Sequence, residues 1–595
     1  MNSTAETTLE SKLLIEAANR WPVAATVLLA FAFAFIVQSV FKPDPLSQIP
    51  IVGAEYGGQE SRRKKFVDGG AKNLYLDGYK KFKERAFQLT TTKKSTNIVV
   101  APKFMDELRK LPDDVLSFNG AIEETMQAKY TGVETNIEML PRLVRTSLTP
   151  ALVRLNPIIS DEVSEAIRME LPQSSEWTEV KIMDKLMRII AMASGRVFVG
   201  PELCRNEDYI DSAINYTVDI LKAIRKVSTI PPWIRPLLAP RRPEVRRVHQ
   251  RVAKAVDFLK PIVKSRREAS EDPDYQKPDD MLQWMIEAQE NSGDKDDKKL
   301  ARYQLGISFA AIHTTSLTAT NTLYTLAAMP EFVPVLREDV QQALAGANGV
   351  FTSSAMQNMK KLDSFIKECM RYHTMGFSSF QRKVLKTFAL SNGQVIPAGC
   401  IIEVPAIGIY NDDEFFPDAD KFDPLRFYKM RQSKTEQTTG SKQAEVVANA
   451  QFVSVSQTSL TFGYGRHACP GRFFAVNEIK MILATLLLNY DAKNVEGVKE
   501  RYPNFVSGAM TVVELGARAS TGTACSMANN VMPPMREASV KHQIEQYNDR
   551  LQDQDSFHLK LVAMERSKGD SRMSGVEMLY RRVPQLARLA IWDLN

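Results

Sequence analysis

The chain has 595 residues, 44% hydrophobic and 25% charged, a balance that excludes an intrinsically disordered chain and a low-complexity array. A formal net charge of +7 is small for that length. No zinc-finger spacing or RNA-recognition signature accompanies it, so nucleic acid is not an expected partner. The five cysteines, Cys204, Cys369, Cys400, Cys469 and Cys525, are odd in number and scattered, which argues for a reducing compartment and against a disulfide framework.

Residues 1–20 form a mixed, slightly acidic leader. Pro22 to Phe41 is an uncharged apolar run, long enough at about twenty residues to cross a bilayer as a helix, and Trp21 opens it as an interfacial aromatic would. A cleaved signal peptide would have a shorter apolar core behind a basic leader, so residues 21–41 read as an uncleaved anchor. Lys42 and the cluster Arg62-Arg63-Lys64-Lys65 follow it, which leaves the C-terminal bulk in the cytosol by the positive-inside rule. Pro43, Pro45 and Pro50 stiffen a hinge over residues 42–55. Further on, Ile230 to Pro243 is a proline-rich loop with Trp233, Leu237 and Leu238 among arginines. An interfacial segment dipping into lipid fits that mixture better than a plain basic loop.

From Lys298 to Met329 the only Gly or Pro is Gly306, and Pro330 stops the run; a long helix through the middle of a domain is expected. At its centre stands Ala310-Ala311-Ile312-His313-Thr314-Thr315. Small residues let a ligand approach, and a threonine hydroxyl can bond the carbonyl one turn back; the same residues would also suit plain core packing. Leu362 to Tyr372 reads as a helix with Glu368 and Arg371 on one face, by spacing alone no more than a surface pair. Thr387 to Leu390 and Gln394 to Ile396 flank Asn392-Gly393, a hairpin signal, and the polar run Gln432 to Asn449 reads as a surface insertion.

The most informative stretch is Phe462-Gly463-Tyr464-Gly465-Arg466-His467-Ala468-Cys469-Pro470-Gly471-Arg472. Two glycines permit a tight turn and close approach to a flat ligand, and an apolar helix runs from Arg472 to Tyr490. Cys469 therefore precedes a helix N-terminus, where the dipole, Arg466 and Arg472 favour a thiolate. Taken alone, the cysteine also fits an inert core residue. A zinc site lacks its C-x-x-C partner, and His467 is badly placed to be a thiol's base. The spacing Phe-x-x-Gly-x-x-x-Cys-x-Gly is far more specific than a lone cysteine and favours an axial haem ligand.

This stretch resembles the haem-binding loop of the cytochrome P-450 superfamily, with Phe462, Gly465, Cys469 and Gly471 at the pattern positions; the likeness spans roughly Pro45 to Asn504. It implies a mainly α fold with small β-sheets, the cytochrome P-450 fold, over residues 56–505 behind a single N-terminal transmembrane helix. It further implies haem b with Cys469 as the iron ligand, and O2 and NADPH electrons delivered by a separate reductase. Thr314 matches the threonine expected to guide protons into the oxygen site. His313, where the family usually has an acid, is expected to relay protons or to contact substrate. Arg145, Arg382 and His467 match propionate-binding positions, although Pro141 replaces the aromatic often found four residues before Arg145. Glu368, Arg371 and Arg426 match a buried network behind the haem. Phe309, Ala310, Met375 and Phe377 are expected at the substrate, and Arg466, Arg472 and Lys480 are expected to dock an acidic reductase.

After about Tyr502 the likeness weakens. The family normally closes with a substrate-facing hairpin, whereas here Gly516 to Asn530 is Ala/Ser/Thr-rich and Val540 to Lys568 is strongly polar, so residues 506–595 read as an atypical extension of unknown role, either a real addition or a replacement of the usual ending. The fungal enzymes resembling ent-kaurene oxidase look most similar. That implies a membrane-bound monooxygenase of the endoplasmic reticulum acting on an apolar secondary metabolite, terpenoid or indole-diterpene. The other readings are a polyketide or alkaloid substrate, a non-oxygenating isomerase or dehydratase, and an inactive haem-binding membrane protein.

Overall fold

The computed structural model describes residues 21, 25–31, 33, 45–135, 138–173, 178–231, 233–432, 441–493, 500–513, 556–563 and 590–594. The helices that build the body are α1 (Ala71–Lys81), α2 (Thr149–Glu170), α3 (Ile182–Phe198), α4 (Glu207–Ser228), α5 (Pro243–Ala269), α6 (Met281–Asn291), α7 (Asp297–Ala328), α8 (Phe332–Ala345), α9 (Lys360–Tyr372) and α10 (Arg472–Asn489). The expected anchor over 21–41 lies mostly outside the described residues. Trp21, 25–31 and 33 are helical and largely exposed, and no helix among the described residues is long and apolar enough to cross a membrane.

Side-chain caps set the starts of the central helices. Asp296 accepts from the backbone N–H groups of Lys298 and Lys299 at the head of α7, and Asn206 does the same for Asp208 and Tyr209 at the head of α4. Pro330 then ends α7 as expected. That helix is buried along much of its 32 residues and packs against α3, α4, α5, α9 and α10. It is the axle of the main core, built from residues such as Ile190, Ile220, Leu323, Phe365 and Ile482. Burying one such side chain stabilises the fold by about 1.5–3 kcal/mol.

A six-stranded sheet flanks this body in the order β1-β2-β3-β9-β6-β4. Its strands are Ile51–Val52, Phe87–Leu89, Asn97–Val99, Ile401–Val404, Ser379–Val384 and Leu116–Ser117 respectively. The Asn392-Gly393 turn joins β7 (Phe388–Ala389) to β8 (Val395–Ile396), with Gly393 at φ 84° as the turn requires. Strand β5 (Thr178–Val180) stands apart from these and pairs within the C-terminal sheet.

The C-terminal region departs from expectation. Asn504–Ser507 (β11) and Met510–Val513 (β12) form an antiparallel hairpin around Gly508, which turns at φ 58°. The closing hairpin is therefore present, and it runs past residue 505. Beyond it, Ser556–Ala563 (β13) pairs antiparallel with β10 (Tyr490–Lys493), with β5 and with β14 (Ala590–Leu594). Part of the extension thus supplies two strands, β13 and β14, to a sheet that also takes β5 and β10 from the helical body.

Glu478 is a buried carboxyl of α10. One oxygen accepts from Ser194 Oγ at 2.7 Å, and the other has no partner among the described residues. Burial pushes its pKa up to about 8 from an ordinary 4.5. Between those pH values the folded chain holds a proton that the unfolded chain releases, so stability falls as pH rises, by at most ~1.4 kcal/mol per pH unit. Glu478→Gln removes this titration. Thermal melts should show the variant gaining on the parent from pH 5 to pH 8; a difference that stays constant over that range would contradict a protonated carboxyl.

Candidate active site

The cysteine loop is held by its own backbone. The N–H of Cys469 donates to Phe462 O at 2.7 Å, that of Gly463 to Leu460 O at 2.9 Å, and that of Ala468 to Gly465 O at 3.0 Å. Gly463 and Gly465 turn at φ 75° and 72°, values that side chains with a Cβ rarely adopt. Gly471 needs no such freedom. A Cβ there would only touch Val144 Cγ1, 4.0 Å away, which places the turn Val144–Leu148 against the loop. Phe462 packs on Phe452 with ring centroids 5.5 Å apart.

Cys469 is half-buried, immediately before α10. Burial pushes its thiol up, opposed by the N–H groups of Gly471 and Arg472, which hydrogen-bond the sulfur, and by the charge of Arg472. Arg466, expected to share this task, does not: it is exposed, donates to Leu111 O and lies 3.8 Å from Asp113. Two backbone donors and one cation suit a thiolate once a metal cation binds and displaces the thiol proton. Among the described residues no group of three His, Cys, Asp or Glu is placed to hold a metal ion.

On α7, Thr314 Oγ1 donates to Ala310 O at 2.8 Å. Ala310 and Thr314 are exposed, although Ile307, Ser308, Ile312, Thr315 and Ser316 around them are buried. One turn apart on a helix, Ala310 and Thr314 share a face. They form an open stripe in the middle of an otherwise buried rod, and Phe309 and Ala311 border the same core cluster as Phe462 and Met375. That is the room a flat cofactor and an apolar ligand require. His313, next to Thr314, has its Nε2 2.9 Å from Ile214 O of α4. Burial lowers the pKa of this ring, leaving it neutral at pH 7.

Arg382, on β6, is buried, and its guanidinium lies over Phe380 at 4.2 Å and Phe118 at 5.2 Å. Its hydrogen bond among the described residues goes to Gln381 O at 2.8 Å, and burial pushes its pKa down to about 10. His467 stacks on the same Phe118, centroids 5.0 Å apart, with Nε2 3.0 Å from Asp113 Oδ1. A buried guanidinium with so little to bond is suited to an incoming carboxylate, so Arg382 and His467 fit haem propionates. Arg145 is exposed on the turn Val144–Leu148, next to Val144, which faces Gly471.

The network behind the loop is complete. Arg371 holds Glu368 through two bonds of 2.8 Å, and Arg426 Nε reaches Glu368 Oε1 at 3.1 Å. The arginines also donate to the carbonyls of Tyr410, Ala419, Lys421, Pro417 and Asp418. All three charged groups are buried. This network ties α9 to the segment from Tyr410 to Arg426 that precedes the cysteine loop.

The substrate side differs from expectation at one residue. Phe377 is buried in a separate cluster under the sheet, its ring 6.2 Å from Tyr75. Met375 is half-buried, and its carbonyl accepts from Thr511 N at 2.7 Å while Phe377 N donates to Ala509 O at 2.9 Å. These bonds pin the β11–β12 hairpin to the Met375 segment and present Met510, 53% exposed, beside Gly376. Met510 is absent from the sequence reading; its available signal is the pair of short runs rich in Phe, Val and Thr on either side of Ser507-Gly508. Lys480, expected on the reductase face, is buried with Nζ 2.5 Å from Asp363 and 3.0 Å from Met356 O.

Comparison with known proteins gives the family. The cytochrome P450 family matches over residues 74–513. The cytochrome P450 monooxygenase ATR3 of Stachybotrys chlorohalonatus is 42% identical, over 70% of this chain and 87% of its own length. The monooxygenase braC of Annulohypoxylon truncatum is 33% identical over 81% and 94%, and BOA4 of Botryotinia fuckeliana 35% over 77% and 91%. The chain belongs to the cytochrome P450 family of haem-thiolate monooxygenases, which carry haem b, use O2 and take electrons from NADPH through a reductase.

Proposed function

We infer that this enzyme inserts one oxygen atom from O2 into an apolar secondary metabolite, terpenoid or indole-diterpene in class, at the endoplasmic-reticulum membrane. The observation that carries the reading is the open stripe of Ala310 and Thr314 on α7, bordered by apolar Phe309 and polar only at one hydroxyl. The reaction consumes two electrons and two protons: R–H, O2, 2e⁻ and 2H⁺ become R–OH and H2O. Haem b, when bound through Cys469, supplies the oxygen activation. The chain's own residues do the rest. The N–H groups of Gly471 and Arg472 hold the sulfur's charge, Arg382 and His467 orient the propionates, and Thr314 Oγ1, its own proton given to Ala310 O, turns its lone pairs to the open face to accept from a proton donor there. Phe309, Ala310 and Met510 exclude water and shape the ligand's side.

Membrane attachment is supported by the apolar run 21–41 and by the loop residues Trp233 and Leu237, which are 81% and 56% exposed. One experiment addresses both statements. Carbonate-washed microsomes expressing the full chain, given reductase, NADPH and ¹⁸O2, should convert members of a terpenoid panel into products carrying a single ¹⁸O. Turnover without ¹⁸O incorporation would favour an isomerase, and activity confined to the supernatant would remove the membrane.

A further inference from the structure

His313 occupies the position next to Thr314, yet its ring is directed to the backbone of α4 rather than into the open stripe. The partner is the carbonyl of Ile214, at 2.9 Å from Nε2. A carbonyl can only accept, so Nε2 carries the proton and the imidazole donates. Ile214 lies well inside α4, where its oxygen already belongs to the helix ladder; the imidazole uses the second lone pair.

The surroundings give this bond its weight. α4 is fastened to α5 by ion pairs: Arg251 with Asp211 and with Asp219 at 2.9 Å, and Lys254 with Asp208 at 2.9 Å. α4 and α5 therefore behave as one unit lying on α7. On α4, close to Ile214, the hydroxyls of Ser212 and Thr217 are buried and have no partner among the described residues. Those two hydroxyls add no tie to a neighbouring helix, whereas His313 supplies a directional one from α7 to this stretch of α4, one residue from Thr314.

We propose that His313 is a positioning residue, a donor that fastens α4 to α7 beside Thr314 and so fixes the wall of the ligand cavity, rather than a proton relay. The tie explains why a histidine serves at this position. An acid would set a carboxylate against the Ile214 carbonyl, two acceptors face to face, whereas imidazole reaches across and donates while neutral.

The test uses the full-length holoprotein and two readouts, the first of which stands whether or not the proposed reaction is right. Hydrogen exchange of the α4 amides around Ile214 should quicken about five- to tenfold in His313→Leu, the loss of roughly one net hydrogen bond. His313→Gln, which can still donate, should restore most of the protection, and His313→Asp should not. Clotrimazole, a bulky azole, should show a changed association rate in His313→Leu, while imidazole itself binds as in the parent. Unchanged α4 exchange in both His313→Leu and His313→Asp would overturn the tie. So would exchange that quickens equally in His313→Gln and His313→Leu, since that would reflect lost packing. If α4 exchange is unchanged and the pH profile of coupling shifts instead, His313 relays protons and the proposal is wrong.

Discussion

Glu368→Ala should yield no folded, haem-loaded protein. The substitution leaves Arg371 and Arg426 buried, at 3% and 8% exposure, with their shared carboxylate gone and only carbonyls as partners. Removing one member of such a buried set costs about 3–5 kcal/mol, a large part of the 5–15 kcal/mol that typically separates folded from unfolded protein. The effect is also local: Asp423 N donates to Glu368 Oε1 at 3.0 Å, so the chain leading to the cysteine loop loses an anchor. Haem content per polypeptide and far-UV circular dichroism of the purified variant provide the measurement. Arg371→Ala should behave alike, because it takes two hydrogen bonds from the buried carboxylate and leaves the carbonyls of Tyr410 and Ala419 without their arginine donor. Normal yield of haem-loaded protein from either variant would remove the network from any role in assembly.

Thr314→Ala should separate oxygen consumption from product formation. The hydroxyl is the polar group on an open face otherwise formed by Ala310 and apolar neighbours, and its bond to Ala310 O orients it. Positioned proton donors contribute about 10²–10⁴-fold to the steps they serve, so product formed per NADPH consumed should fall by about tenfold or more. NADPH consumption itself should continue. Thr314→Ser keeps the oxygen and should retain most of the coupling. An unchanged ratio of product to NADPH in Thr314→Ala would remove the hydroxyl from proton delivery.

Much of this architecture is legible in the sequence because its physical cause is local. Pro330 and the apolar run define the long helix, Asn392-Gly393 defines the hairpin, and the spacing around Cys469 defines a loop that enters a helix. The pairing of Glu368 and Arg371 follows from helical geometry, and Arg426 joins them by resemblance. What escaped depends on long-range packing. A lysine near the cysteine loop reads as a surface charge, yet Lys480 is drawn inward by Asp363, a residue 117 positions earlier. Phe377 lies two residues from Met375 in the irregular segment before β6, and there its ring is buried in a different cluster, against Tyr75. The partner of His313 is a backbone carbonyl on another helix, which no spacing rule encodes. Phe118 joins Arg382 to His467 by stacking, a contact between three distant segments. The hairpin over Asn504–Val513 is signalled by β-prone residues on both sides of Ser507-Gly508, a short signal beside the unusual composition that follows it.

The central claim is that Cys469 is the thiolate ligand of a haem held in this loop. The most direct test is the reduced, carbon monoxide difference spectrum of microsomes expressing the full chain, with Cys469→Ser alongside. The account predicts a Soret band at the long-wavelength position typical of thiolate ligation, absent from the variant. A band at the shorter wavelength of a neutral ligand in the parent, or the same spectrum in both proteins, would contradict it.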